Sequence, residues 1–278
     1  ATRARSPARI GSSICARTAD FVIGMPGRIM SKAAGGLVLA ILLCHAAAAV
    51  AAITVSAVAA STFVKSAVNS ITLTSYNSSG SGSNRVLLVT VTVTNDGAAG
   101  ARVLNTVTFG GTGLTEKTDA RTSSADDARI WVWYLLAPTS QTADIVATFD
   151  GNVTTGISIG AIVFAGVDQT TSFGTAVTTS DQPGPISGSI TAPNITVPAA
   201  GDEVIYDSLA SESATALTAG ADQTLQWDEI SAAPDNVVGA SSTQPSTADD
   251  VMSWTATGST HTSLCGFVLK PAAADTPE

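Results

Sequence analysis

After residue 60 the chain holds no stretch of 12 or more residues with helical period, whereas runs of period two recur throughout. That pattern commits the chain to strands. Residues 85–94, RVLLVTVTVT, set Val89, Val91 and Val93 on one side of an extended chain and Thr90, Thr92 and Thr94 on the other. The run Trp131-Val132-Trp133-Tyr134-Leu135-Leu136 is apolar on both faces, which predicts a central strand covered on two sides. Further strands are expected at 69–74, 102–109, 114–118, 145–149, 156–166, 203–208, 223–228, 236–241, 251–257 and 261–270, separated by turns such as Asn95-Asp96-Gly97 and the loop NSSGSGSN at 77–84. About a dozen short strands at close spacing predict an all-β fold, a two-sheet antiparallel sandwich of jelly-roll type.

The layout of residues 128–149 recurs. An apolar strand there is followed by Thr142-Ala143-Asp144 and a second strand from Ile145; later, Thr247-Ala248-Asp249-Asp250 leads into Val251-Met252-Ser253-Trp254. Phe164 and Leu269 end the two closing strands. An internal two-fold duplication is therefore expected.

Charge narrows the partners. The 278 residues carry a formal −9, but six bases and one acid lie before residue 53, leaving seven of the 13 bases against 21 of the 22 acids, a balance of −14. No Lys or Arg occurs between Arg129 and Lys270, so a phosphate-neutralising surface cannot be built there. Nucleic acid is excluded as a partner on this ground, and anionic membranes are disfavoured.

The amino end has the form of an export signal. Met30-Ser31-Lys32 precedes an apolar core from Leu37 to Cys44 and then small residues from Ala46 to Ala52, a sequence suited to cleavage near Ala52. The expected organisation is an upstream prefix plus signal peptide at 1–52, an apolar arm at 53–68, a β-sandwich at 69–271 and a polar tail at 272–278. Cleavage would remove Cys15 and Cys44 and leave Cys265 alone among apolar neighbours, so a buried free thiol is expected. The arm, with Lys65 its one charge, could donate a strand to a neighbouring copy.

Four segments carry a resemblance: Asn84 to Val89, Val107-Thr108-Phe109-Gly110-Gly111 with Leu114-Thr115, Trp133-Tyr134-Leu135, and Phe164-Ala165-Gly166-Val167-Asp168-Gln169-Thr170-Thr171. Together they resemble uncharacterised β-sandwich modules of large secreted bacterial surface proteins. The resemblance implies export and a sandwich fold, and it supplies no catalytic residue.

Candidate chemistry is sparse. Gly156-Ile157-Ser158-Ile159-Gly160 matches the G-x-S-x-G nucleophile pattern, with His261 downstream, but strand alternation runs through the motif where a nucleophile elbow needs a strand, a turn and a helix. No enzyme is expected. Asp126, Asp127, Asp249 and Asp250 could offer carboxylates to Ca²⁺, without the fixed spacing of a known loop. Trp131, Trp133 and Trp227 could stack sugars if one sheet face were exposed, although aromatics in strands apolar on both faces are more often core. The leading expectation is a non-catalytic extracellular structural or adhesive module. The alternatives are a carbohydrate-binding module with surface glycans as partners, and a self-associating filament subunit that uses the arm.

Overall fold

The computed structural model describes residues 50–94, 102–121, 128–181, 190–212, 214–231, 237–246, 250–258 and 261–273. Described residues form seventeen strands and no helix. The first nine are β1 (Thr54–Val64), β2 (Val68–Asn77), β3 (Val86–Val93), β4 (Leu104–Phe109), β5 (Thr112–Gly113), β6 (Thr115–Arg121), β7 (Arg129–Leu136), β8 (Thr142–Val153) and β9 (Ile157–Ala165). They make a five-stranded antiparallel sheet, β1-β9-β3-β7-β6, and a facing sheet, β2-β8-β4-β5. This interleaving of the two sheets is that of a jelly roll.

The next eight are β10 (Val177–Asp181), β11 (Ile190–Val197), β12 (Val204–Ser211), β13 (Ala216–Ala219), β14 (Thr224–Ile230), β15 (Val238–Pro245), β16 (Asp250–Thr257) and β17 (Thr262–Leu269). Their sheets run β10-β17-β12-β15-β14 and β11-β16-β13, repeating the first order strand for strand apart from the two-residue β5. The two-sheet sandwich thus occurs twice.

Register confirms the duplication. Val86 lies between Leu136 and Phe164, as Val204 lies between Pro245 and Leu269. A β-bulge falls between Glu116 and Thr118 where β6 meets β7, and another between Leu225 and Trp227 where β14 meets β15, so Lys117 and Gln226 are counterpart inserted residues. Thr/Val-rich strands can look alike by chance, but a shared bulge at one register position is a specific backbone device.

The two five-stranded sheets stack on each other, giving four layers in all. One apolar core, including Val89, Trp131, Ala147 and Phe149, fills the first sandwich. A second, including Leu209, Met252, Trp254 and Leu264, fills the other. The third lies between the five-stranded sheets and joins Leu88, Ile130, Ile162 and Phe164 to Tyr206, Cys265, Phe267 and Leu269. Every residue of β3, β9 and β17 is consequently buried. Covering both faces is what makes these strands almost continuously apolar.

Stacking follows a pseudo-two-fold axis. β1 packs on β14 at one flank, and their counterparts β10 and β6 pack at the other; β3 and its counterpart β12 meet in the middle. Each half presents the same face to the other, the geometry of an isologous dimer within one chain. The joint is the turn after β9, where Asp168 Oδ1 accepts the Thr170 N–H and hydroxyl, both at 2.7 Å, and the Thr171 N–H at 2.9 Å. Those bonds hold the Asp168 carboxyl at about 2, below its ordinary value.

Residues 53–68, expected as an apolar arm, are occupied locally. Thr54–Val64 is an edge strand paired antiparallel with β9, so no free arm is presented.

Candidate functional site

Ser158 is the second residue of β9, is fully buried, and shares a hydrogen bond with Thr92. The glycines around it serve packing. A Cβ on Gly160 would overlap the Trp227 indole, and one on Gly156 would overlap Val237. The G-x-S-x-G match is therefore a strand segment shaped by the sheet facing it. His261 Nδ1 is bonded to Glu212, so the structure gives the serine and the histidine different partners. Thr90 extends the hydroxyl contacts across the stack, bonding Tyr206 at 2.8 Å and Ser208 at 3.0 Å.

The tryptophans expected as a glycan platform are core residues: Trp131 is 2% exposed, Trp133 8% and Trp227 4%. None offers a ring face to a ligand. Trp131 instead packs edge-on against Phe149 with centroids 5.5 Å apart. Of the four aspartates considered for Ca²⁺, Asp126, Asp127 and Asp249 lie outside the described residues, while Asp250 opens β16 opposite Val197. No cluster of three potential metal ligands occurs among the described residues. Cys265 is a free, buried thiol whose pKa is raised by burial, as its apolar setting led one to expect.

Two features escaped the sequence reading. The first is Asp207 on β12, fully buried inside the second sandwich. Its Oδ1 accepts the Ser242 N–H at 3.0 Å and the Ser242 hydroxyl at 2.6 Å, and its Oδ2 accepts Trp254 Nε1–H at 2.7 Å. Gln223 braces the cluster: its amide donates to Ser242 Oγ at 2.6 Å, and its carbonyl accepts the Ser253 N–H at 2.7 Å. Burial lifts the Asp207 carboxyl to about 7, while bonds from Ser242 and Trp254 pull it down less strongly. The signal was present in the sequence, since Asp207 alternates with Ile205 and Leu209 on the inward side of its strand.

The second is a pair of crevices at the flanks of the stack. Beside β10, the Phe173 ring lies edge-on to Tyr134 at 4.8 Å and to Phe267 at 5.5 Å. Lys117 Nζ sits 5.4 Å from the Phe173 ring centre and donates to Gly174 O at 2.9 Å. These side chains occupy their crevice. Register assigns their counterparts beside β1: Phe173 pairs with Leu269 as Val55 pairs with Phe164, Tyr134 corresponds to Thr243, and Lys117 to Gln226. The smaller set leaves a cavity of about 220 Å³ lined by Ile53, Val55, Phe164, Val204, Gln226 and Thr243 among others. An adjoining hollow of about 310 Å³ continues it past Ile53 and Pro245 towards Asp202 and Glu203.

Fold and site together define a doubled β-sandwich, an all-β class built of stacked jelly rolls. No family model, curated protein or solved structure matches the chain.

Proposed function

We propose that the chain is a non-catalytic, exported module with a structural or adhesive role. The observation that carries this reading is the fate of the one nucleophile motif: Ser158 and both of its flanking glycines are taken up in joining the two sandwiches. A further feature favours adhesion over a strut. The outer sheet of the first sandwich carries uncharged hydroxyl rows: Thr148 of β8 lies between Ser70 and Thr106, and Thr72 and Thr108 flank Val146 in the next row.

Export rests on the signal-like residues 30–52, and no helix among the described residues is long and apolar enough to cross a membrane. A carbohydrate-binding role loses the aromatic platform on which it stood. A filament built by the arm would first have to withdraw β1 from its own sheet.

The test is co-sedimentation of the purified chain with washed bacterial envelopes, alongside turnover assays on chromogenic esters and glycosides. Saturable retention without turnover is expected. Turnover that disappears in Ser158→Ala would overturn the reading.

A further inference from the structure

We infer that the open crevice beside β1 is a binding site for a single phenolic ring. The inference goes beyond the adhesive reading and does not depend on it. Its warrant is the molecule's own symmetry, because the counterpart crevice shows what this shape accepts: an aromatic ring, Phe173, wedged edge-on against Tyr134 and Phe267. Where the first crevice places Phe173 and Tyr134, the second has Val55 and Thr243, and the vacated space stands open at about 220 Å³. An apolar cavity of roughly 150 Å³ already suffices to hold benzene.

Polar groups at the cavity select a hydroxylated ring. Thr243 lines it at 7% exposure, and Gln226 Nε2 donates to Thr243 Oγ1 at 2.7 Å. That bond occupies the Thr243 oxygen as acceptor and leaves its O–H proton, with no acceptor among the described residues, to be donated. It also fixes the amide so that Gln226 Oε1 remains an acceptor. One donor and one acceptor side by side match a phenol, whose oxygen accepts from Thr243 while its O–H donates to Gln226. Phe164 and Val204 supply the apolar lining for the ring.

The probe is p-cresol, titrated into the full chain and followed by ligand-observed NMR and calorimetry. One saturable site per chain is expected, with toluene binding about tenfold more weakly for want of the hydrogen bonds. Val55→Phe, which gives this crevice the residue that plugs the other, should weaken p-cresol at least tenfold with an unchanged far-ultraviolet spectrum; Val55 is 46% exposed and tolerates the larger side chain. Thr243→Val, which removes the donor and leaves the Gln226 acceptor, should bring p-cresol part of the way down to the affinity of toluene, and an unchanged affinity would overturn the assignment. Absence of saturable binding, undiminished binding by Val55→Phe, or equal affinity of the wild type for p-cresol and toluene would each overturn the assignment.

Discussion

The two sandwiches share strand order, register and one bulge, yet their interiors are built on opposite plans. In the first, the five-stranded sheet contributes the two indoles, Trp131 and Trp133 on β7, which join Phe109 and Phe149 of the facing sheet in one core. In the second, the counterparts of those tryptophans are Ala240 and Ser242, and the bulk comes from Trp254 on the opposite sheet. The indoles thus sit on different sheets in the two cores, the kind of exchange that a close-packed interior tolerates when its neighbours repack. Polarity differs as well. Val89 has Asp207 as its counterpart, so one core is apolar and the other is pinned by a carboxyl group. Topology here is carried by register and bulge, and residue identity is free to diverge so long as each core closes.

The largest expected effect separates the two plans. Removing either indole leaves a cavity, at a cost of about 3–5 kcal/mol for Trp131→Ala. Trp254→Ala creates a cavity of the same kind and also takes from Asp207 the one donor to its Oδ2 that lies at 2.7 Å. It should therefore lose about 1–3 kcal/mol more than Trp131→Ala, because that buried oxygen is left with Gln223 Nε2 at 3.5 Å as its remaining, weak donor. Urea denaturation of both variants measures the difference, and equal losses would mean that the carboxyl cluster does not hold the second core.

Next in size is a pH dependence confined to the second sandwich. The Asp207 carboxyl sits at about 7 in the folded chain against an ordinary 3.8, so between those values the folded state keeps a proton that the unfolded state has released. Stability is then fullest below about pH 4, falls as pH rises to about 7 and is level beyond, a total of about 4 kcal/mol for a shift of this size. Asp168 has the opposite sign, being held at about 2 when folded, but its effect is confined below about pH 4. Asp207→Val, which restores the residue of the first core, should flatten the profile between pH 5 and 8. It should also lower stability at pH 5, because the Trp254 N–H and the Ser242 hydroxyl lose their acceptor. A slope unchanged in the variant would place the titration elsewhere.

Much of this was legible from period alone. The segments 85–94, 156–166 and 261–270 match β3, β9 and β17 within a residue or two, and register bears out the expected duplication, although Thr247, Ala248 and Asp249 of the repeated layout lie outside the described residues. The stacking was not legible. Thr90 and Thr92 alternate with valines as solvent-facing residues do, but their hydroxyls find partners across and within the stack, so a polar face lies fully buried. The same contact hides Trp227 against Gly160. Alternation records which residues share a face, and it cannot tell water from a hydroxyl-bearing neighbour. The crevices were invisible for a related reason: Val55 belongs to the first half and the bonded pair Gln226 and Thr243 to the second, so the lining is assembled only when the halves pack.

The smallest effect concerns two serines at counterpart positions, Ser158 on β9 and Ser263 on β17. Both are fully buried in the stack, yet their bonds differ: Ser158 shares one with the Thr92 hydroxyl, while Ser263 donates to Ala128 O at 2.7 Å. Truncating either to alanine should cost about 1 kcal/mol, the net worth of one buried hydrogen bond. Counterpart residues with structural roles should lose similar amounts and share a silent phenotype in every activity assay. A nucleophile would break that parity, since Ser158→Ala alone would then abolish a measurable turnover while leaving stability nearly unchanged. Paired thermal melts and ester assays on the two variants decide between these outcomes. Matched melting shifts of a few degrees with no change in turnover are expected, because the hydroxyl of Ser158 lies between two packed sheets with no path for a substrate to reach it.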